Sequence, residues 1–383
     1  MSSIDQPIRF IHSSDWQLGM TRAFLSEEAA ARFSQARIDA ITTLGRLARD
    51  NEAQFIVVAG DIFESNQLSQ RTVVRTLDAL EALPVPVFLL PGNHDPLDGT
   101  SIFLSERFRA VSRHITVLHD YRPVAVPGLD GIEVVGAPWK TKRPVTDLCQ
   151  EMAQANPPAT DVIRIAVVHG QVDTLSPDPG RSGVVDLAAA EQAIREGRFH
   201  YLALGDRHSV TEVGGSGRIW YSGAPVATAF DEQDPNKALL VELDGESSCR
   251  VEPLDVGHWI FIAEQRRLEG PDDIARFGQW LDDLPDKECT VIKAGFEGSI
   301  SLAAAAMLDD VMEAKADLFA SLRLRERTTD LAIVPDQLDQ DSVSLSGYAR
   351  AAWQELLERA DSGDDAARDA LRLCYRLSNH GDA

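Results

Sequence analysis

The sequence has few cysteines, a shortage of basic residues and no long apolar run. Its four cysteines are scattered through 383 residues without a Cys-x-x-Cys pair, which fits a reducing cytoplasm better than a disulfide framework. The longest apolar stretches, such as Phe55–Ala59, are far shorter than the ~20 residues that span a bilayer. No basic region followed by an apolar stretch opens the chain, so we expect no signal peptide and a cytoplasmic location.

The charge balance is strongly acidic. Sixty Asp and Glu residues oppose 37 Lys and Arg residues, which gives a net charge of −23. A solvated acidic surface that serves solubility is one explanation. Because nucleic-acid backbones are held by basic surfaces, the charge implies either a small substrate or a polymer held by local basic patches or a partner. Two local basic groups could contact phosphates or could simply be solvated: Lys140, Lys142 and Arg143, and Arg107, Arg109 and Arg113.

Short runs rich in Val, Ile and Leu alternate with helical stretches over the first 250 residues. This pattern is typical of buried strands covered on both faces, and it predicts an α/β sandwich. Helices are predicted at Glu27–Asp50 and Ser69–Leu83. The predicted strands are Ile8–Ser14, Phe55–Gly60, Val85–Pro91, Ile132–Ala137, Val162–His169, Phe199–Gly205, Ile219–Ser222 and Ala238–Leu243.

The pattern changes near residue 255. Alternating strand and helix signals then predict a small α/β domain over residues 256–335. The polar stretch Pro335–Ser346 indicates a linker, and two amphipathic helices follow at Tyr348–Ala360 and Asp364–Leu377. We therefore predict a main domain at 1–255, the small domain at 256–335, and a linker with C-terminal helices at 336–383. The apolar stripes of these helices could dock on their own protein or form a groove for a partner.

Polar clusters follow five of the predicted strands. In open α/β sheets, ligands gather beyond the carboxyl ends of strands, so side chains that are distant in sequence can converge there. Carboxylates, amide oxygens and imidazoles are metal-ligand types. Any one of these residues could be a turn or cap residue, but the ordered set favours a two-metal site for phosphodiester hydrolysis. The set comprises Asp15, Gln17, Asp61, Asn93, His94, Asp95, His169, Asp206 and His208.

These clusters resemble the motifs of the calcineurin-like metallophosphoesterase superfamily. Within it the resemblance is strongest to SbcD-type DNA repair exonucleases, over roughly residues 8–245. The motifs that carry it are His12-Ser13-Ser14-Asp15-Trp16-Gln17-Leu18-Gly19, Gly60-Asp61-Ile62-Phe63, Gly92-Asn93-His94-Asp95, Leu204-Gly205-Asp206-Arg207-His208 and Ser222-Gly223-Ala224-Pro225 followed by Phe230-Asp231-Glu232. The resemblance implies a sandwich of two mixed β-sheets flanked by helices, with a small α/β cap domain and C-terminal helices.

Functional roles are also implied by the resemblance. Asp15, Asp61 and His208 would hold one metal ion, and Asp61 would bridge to a second ion held also by Asn93 and His169. His94 would act as the general acid or stabilise the transition state, with Asp95 orienting it from behind.

Two positions depart from the superfamily pattern. Gln17 stands where the first motif has His, and Asp206 stands where the last motif has its first His. Both replacements offer oxygen in place of nitrogen, which favours manganese or magnesium over zinc, with manganese first and iron and zinc left open. Trp16 and Trp139 lie near the clusters and could stack on a base or pack beneath a loop.

The leading hypothesis is a manganese-dependent DNA repair exonuclease or endonuclease with two divalent ions and DNA as substrate. The resemblance implies a coiled-coil SMC-like ATPase as partner, and a homodimer is left open. Two alternatives also stay open: a phosphodiesterase for nucleotides or phospholipid-derived diesters, and a scaffold with a degenerate metal site.

Overall fold

The computed structural model describes residues 7–110, 114–159, 161–176, 183–244, 248–333 and 347–379. These residues form two compact units. The first runs to Ala23 and resumes from Ala30 to Trp259, and the second comprises Phe24–Ala29 and the residues from Ile260 onward. The predicted linker Pro335–Ser346 lies outside the described residues.

The first unit contains two six-stranded sheets. One sheet has the spatial order β12-β11-β1-β2-β3-β4. Strands β1 to β4 are mutually parallel. Strand β11 runs antiparallel to β1, and β12 runs antiparallel to β11. The strands are β1 (Ile8–Ser13), β2 (Phe55–Val58), β3 (Val87–Leu89), β4 (Ile115–Val117), β11 (Lys237–Asp244) and β12 (Ser248–Asp255).

The other sheet has the order β5-β6-β7-β8-β10-β9. Its inner strands β6, β7, β8 and β10 are parallel, and both edge strands are antiparallel to their neighbours. The strands are β5 (Val124–Ala125), β6 (Ile132–Ala137), β7 (Ile163–His169), β8 (Tyr201–Gly205), β9 (Val210–Glu212) and β10 (Ile219–Ser222). The predicted pair of mixed sheets is therefore confirmed.

The two sheets pack face to face through a shared apolar core. Phe10 and Phe55 of the first sheet stack with ring centroids 4.9 Å apart, and Tyr201 of the second sheet meets Phe10 edge-on at 5.4 Å. Helices cover the outer face of each sheet with separate clusters of buried side chains. They are α1 (Glu27–Asp50), α2 (Gln70–Glu81), α3 (Glu106–Arg109), α4 (Leu148–Ala155) and α5 (Leu187–Arg195).

The second unit is built on a four-stranded parallel sheet. The central strand β14 pairs with β13 on one side, and on the other side with β15 along Val291–Ala294 and with β16 along Glu297–Ile300. Two helices bury Phe277 and Leu308 against this sheet. The elements are β13 (Ile260–Leu268), α6 (Pro271–Asp283), β14 (Thr290–Ile300), α7 (Leu302–Ala316), β15 (Ser321–Leu324) and β16 (Asp330–Ile333).

Two further helices, α8 (Tyr348–Asp361) and α9 (Asp365–Asn379), follow in the second unit. Trp353 of α8 and Leu371 of α9 are buried in one cluster with Leu302 and Ala306 of α7. The C-terminal helices therefore dock on their own unit. Within the described ranges, no helix combines the length and the apolar character needed to cross a bilayer.

Candidate metal centre

The candidate ligands follow the carboxyl ends of strands in both sheets. They come from the loops after β1, β2 and β3 in the first sheet, and from the end of β7 and the loop after β8 in the second. Among the described residues, eight non-glycine residues have positive φ, and four of them are candidate ligands: Asp15, Gln17, Asp61 and Asp206. Such backbone conformations are costly and cluster at functional sites. The chain thus turns sharply where it presents these side chains.

One half of the centre gathers around His169. Its Nε2 lies 2.8 Å from Asn93 Oδ1, 3.4 Å from Asp61 Oδ2 and 3.9 Å from Asp206 Oδ1. Its Nδ1 lies 2.8 Å from the carbonyl oxygen of Ala59. Because a carbonyl oxygen only accepts, Nδ1 carries the hydrogen. Nε2 is therefore the nitrogen available to a cation.

The other half gathers around Asp15. Its carboxylate accepts the hydroxyl of Ser14 at 2.6 Å and the backbone N–H of Asp206 at 3.2 Å. His208 Nε2 lies 3.8 Å from Asp15 Oδ1 and 3.5 Å from Gln17 Nε2. Ligand atoms of Asp15, Asp61 and His169 all lie within 4.8 Å of one another. All seven candidate metal ligands are thus brought together.

The buried charges of this cluster shift one another's protonation. Burial raises the pKa of Asp15, although His208 and His169 oppose that effect. Burial also acts to raise the pKa of Asp61, but the neighbouring His169 outweighs it and lowers the pKa. Burial acts to lower the pKa of His169, yet the carboxylates of Asp61 and Asp15 raise it well above its ordinary value. Such a buried group of carboxylates is stabilised by positive charge.

The donor set fits divalent cations. Asp15 and Asp61 are almost fully buried, and buried carboxylates normally pair with a charge or coordinate a metal. The buried oxygen Oε1 of Gln17 has no hydrogen-bond partner among the described residues. An unpaired buried oxygen beside two carboxylates is a donor that a cation would satisfy.

Close backbone approach at the centre requires glycine at several positions, including Gly60 and Gly92. A Cβ added to Gly60 would collide with the ring of His169, and one added to Gly92 would collide with Asp61 Oδ1. These two glycines therefore let the loops after β2 and β3 come near the ligands.

His94 and Asp95 are neighbours in the chain but have different hydrogen-bond partners. The two carboxylate oxygens of Asp95 accept the backbone N–H groups of Phe63 at 2.9 Å and Gly92 at 2.7 Å. His94 Nδ1 lies 3.1 Å from the carbonyl oxygen of Glu64 and 3.8 Å from its carboxylate. Asp95 therefore fixes the loop that carries His94, and Glu64 faces the imidazole. The orienting role of Asp95 stays a prediction.

The two tryptophans near the motifs pack beneath loops. Trp16 is 1% exposed and Trp139 is 4% exposed, so neither presents a face for base stacking. Trp139 Nε1 donates to the carbonyl oxygen of His169 at 2.7 Å, and its own carbonyl accepts Leu97 N–H at 2.7 Å. Lys140, Lys142 and Arg143 follow directly and are exposed. Arg107 and Arg109 are exposed too, whereas Arg113 lies outside the described residues.

Three residues near the site carry no role in the sequence analysis. They are Glu64, Thr228 and Glu232. Glu64 lies three residues after Asp61, and this spacing indicates that Glu64 lies near the centre. Glu232 belongs to the segment Phe230-Asp231-Glu232, which carries part of the resemblance, but the spacing of Glu232 and Thr228 in the sequence does not indicate their contact with His208.

A two-sheet sandwich with clustered oxygen and imidazole donors at its strand ends defines a metal-dependent phosphoesterase. The chain belongs to the calcineurin-like phosphoesterase family, whose family model matches residues 8–241. The predicted membership is confirmed, and the chain is a phosphoester hydrolase by class.

Several characterised proteins are similar to this chain at modest sequence identity. The chain is similar to the DNA double-strand break repair protein Mre11 of Methanosarcina mazei, with 28% identity over 251 residues that cover 63% of this chain. It is also similar to the D component of the nuclease SbcCD from Rhodobacter capsulatus, with 26% identity over 64% of this chain and 69% of that protein. The same component from Bacillus subtilis is 26% identical over 74% of this chain and 78% of that protein. The match spans 37% of the length of the Mre11 relative.

Proposed function

We propose that the chain is a two-metal phosphodiesterase that cleaves DNA during repair, as an exonuclease or endonuclease. The observation that best supports the proposal is the meeting of Asp15, Asp61 and His169 ligand atoms within 4.8 Å. Asn93, Asp206 and His208 lie against this group at hydrogen-bonding or ion-pair distances. Asp15, His208 and Gln17 would hold one ion, and Asn93, His169 and Asp206 the other, with Asp61 shared.

The donor chemistry supports manganese or magnesium. Three carboxylates and two amide oxygens outnumber the two imidazoles, and hard oxygen ligands suit these cations better than zinc or iron. When bound, such ions polarise the phosphate and promote ionisation of the attacking water.

In this proposal, His94 handles the proton of the leaving oxygen. Its Nδ1 faces the carbonyl oxygen of Glu64 and must carry a hydrogen. Nε2 is then the nitrogen that gains or gives up a proton, and it lies 3.9 Å from Asp61 Oδ2. The side chain is 36% exposed, so substrate can reach it.

The choice of DNA and of a partner rests on the relatives. They are named as a DNA double-strand break repair protein and as one component of the SbcCD nuclease. We extend from these names to DNA as substrate, a coiled-coil SMC-like ATPase as partner and a cytoplasmic location. We also propose that the predicted boundaries 1–255, 256–335 and 336–383 separate the nuclease domain, a cap and the C-terminal segment.

One observation favours a second candidate function. The net charge of −23 opposes the binding of a polyanion. A small phosphodiester, such as a nucleotide or a phospholipid-derived diester, would meet less repulsion at the same site.

A nuclease assay separates these functions. Purified protein is incubated with linear duplex DNA and Mn²⁺, beside His94→Ala as a control that retains every proposed metal ligand. We expect the variant to bind Mn²⁺ normally and to cleave about 10²–10⁴-fold more slowly. Equal cleavage by both proteins would contradict the proposal. Hydrolysis of an aryl phosphodiester without DNA cleavage would favour a small substrate, and loss of both activities with less than one bound ion would favour a scaffold.

A further inference from the structure

A buried carboxylate lies directly behind His208. The side chain of Glu232 is 5% exposed, and its Oε1 lies 3.0 Å from His208 Nδ1. The same nitrogen lies 2.7 Å from the hydroxyl of Thr228. Glu232 also accepts the backbone N–H of Thr228, at 2.9 Å to Oε2, and the hydroxyl of Thr228. Glu232 is thus bound both to the ring and to the loop beside it.

This contact decides which nitrogen of His208 can bind a cation. An ionised carboxylate only accepts, so His208 Nδ1 carries a hydrogen. The lone pair is then on Nε2, which lies 3.8 Å from Asp15 Oδ1. A second partner that fixes the tautomer and the ring orientation of a ligating imidazole also raises its basicity.

The loop that carries Glu232 is held on several sides. Arg22 donates to the carbonyl oxygen of Thr228 at 2.7 Å. The backbone N–H of Gln233 donates to the hydroxyl oxygen of Ser209 at 2.9 Å. Ser209 directly follows His208, so the carboxylate and the imidazole are tied to each other through both side chain and main chain.

We propose that Glu232 is a positioning residue of the metal centre. It holds His208 in the tautomer that presents Nε2 beside Asp15, and it adds negative charge behind that ligand. The proposal rests on the metal assignment above and does not depend on DNA being the substrate.

Titration of the metal-free full-length protein with Mn²⁺ tests the proposal without measuring activity. We expect Glu232→Ala to weaken one Mn²⁺ site by about 10–100-fold, because loss of such a partner has that effect on other metal sites. The second site should keep its affinity. Glu232→Gln retains one oxygen acceptor for Nδ1 and should lose less, and it carries the test if the Ala variant does not fold.

Glu191 provides a matched control. Its carboxylate also holds a loop, accepting the backbone N–H groups of Gly215 at 2.8 Å and Ser216 at 3.1 Å, but its hydrogen bonds reach none of the candidate ligands. Glu191→Ala should lower the melting temperature and leave both Mn²⁺ affinities unchanged. An equal loss of Mn²⁺ affinity in this control would overturn the proposal.

A double substitution separates positioning from general destabilisation. In His208→Ala there is no ring to orient, so adding Glu232→Ala should weaken Mn²⁺ binding no further. Unchanged Mn²⁺ affinity in folded Glu232→Ala, or additive losses in the double variant, would overturn the proposal.

The role of Glu232 and the choice of substrate can fail separately. If the wild type binds Mn²⁺ but does not cleave DNA, and Glu232→Ala still weakens Mn²⁺ binding, the role of Glu232 is supported and only the proposed substrate is contradicted. A wild-type protein that binds no Mn²⁺ would overturn the metal assignment and this proposal together.

Discussion

Asp61 makes more contacts within the centre than its proposed role as a metal ligand requires. Its Oδ1 accepts His94 N–H at 3.0 Å, its Oδ2 lies 3.4 Å from His169 Nε2, and its carbonyl oxygen accepts Gln17 N–H at 2.8 Å. A substitution at Asp61 would remove a candidate ligand together with the side-chain contacts to His94 N–H and His169 Nε2. Residues with a single function are therefore better probes of the site.

Glu64 and Asp95 are such probes, because they flank His94 and do different things. We expect Glu64→Gln to lower kcat by about tenfold, equivalent to ~1.4 kcal/mol in the barrier, since the charge facing His94 is lost. We expect Asp95→Asn to lower the free energy of unfolding by about 1–3 kcal/mol, because one of two buried main-chain donors loses its acceptor. Steady-state kinetics and denaturant unfolding of both variants measure these effects.

The contrast between the two variants is the informative result. Glu64→Gln should melt like the wild type, since the buried Oε2 of its carboxylate accepts no hydrogen bond within the described residues. Full stability of Asp95→Asn together with an unchanged kcat of Glu64→Gln would contradict both expectations, and a lower kcat of Asp95→Asn at full stability would support Asp95 as the residue that orients His94.

At the scale of elements, the buried strands of the first unit were predictable, and its exposed edge strand β12 was not. Ile8–Ser14 was predicted and Ile8–Ser13 is observed, because a fully buried strand reads as a continuous apolar run. The edge strand Ser248–Asp255 was missed. It is mostly exposed, and it contains Pro253. Edge strands tolerate proline, but a proline in the sequence makes a segment look unlike a strand. The short helix Leu187–Arg195 was also missed, because a segment rich in alanine shows only a weak helical periodicity of apolar residues.

Residues in the motifs were predictable because each lies at the end of a buried strand. Their partners were not, since a hydrogen bond between side chains 24 positions apart, as between His208 and Glu232, depends on the path of a loop. The order of the motifs predicts which residues meet, but not what holds them.

His12 connects the two sheets beneath the site. Its Nε2 donates to the carbonyl oxygen of Leu204 at 3.1 Å, and the hydroxyl of Tyr201 donates to its Nδ1 at 3.1 Å. Burial lowers the pKa of His12 to about 3, despite the opposing effect of the bond to Leu204. The imidazole is therefore a neutral link between β1 and β8.

This link predicts a loss of stability in acid. The unfolded chain binds a proton at His12 below its ordinary pKa of about 6.5, whereas the folded chain does so only near 3, so stability falls as pH decreases between these values. By about pH 5 the contribution should be ~2 kcal/mol. We expect the stability difference between the wild type and His12→Gln to shrink by that amount from about pH 8 to pH 5 in urea unfolding. A difference independent of pH would show that the pKa of His12 is the same in the folded and unfolded chains, which contradicts this prediction.

For the whole molecule, the net negative charge of the chain conflicts with the proposed polyanionic substrate. The loop that begins at Lys140 supplies positive charge that would reduce this repulsion locally. It starts directly after Trp139, which is bonded to the carbonyl oxygen of His169 at 2.7 Å, so it is anchored next to a candidate ligand. Lys140, Lys142 and Arg143 are exposed, and exposed cations beside the centre can contact phosphates without changing the net charge of −23.

Salt dependence measures this contribution. The logarithm of DNA affinity falls with the logarithm of salt concentration in proportion to the number of phosphates contacted, with a slope near −0.9 for each. In a His94→Ala background that binds without cleaving, replacing all three loop cations by Gln should weaken duplex binding and reduce the slope by about 2–3 between roughly 50 and 200 mM salt. A matched control replaces the exposed Arg46, Arg195 and Arg250 by Gln, which makes the same change in net charge away from the loop. If both triple variants lose affinity equally, the field of the whole chain governs binding; if only the loop variant does, the acidic chain binds DNA through a local basic contact beside its metal centre.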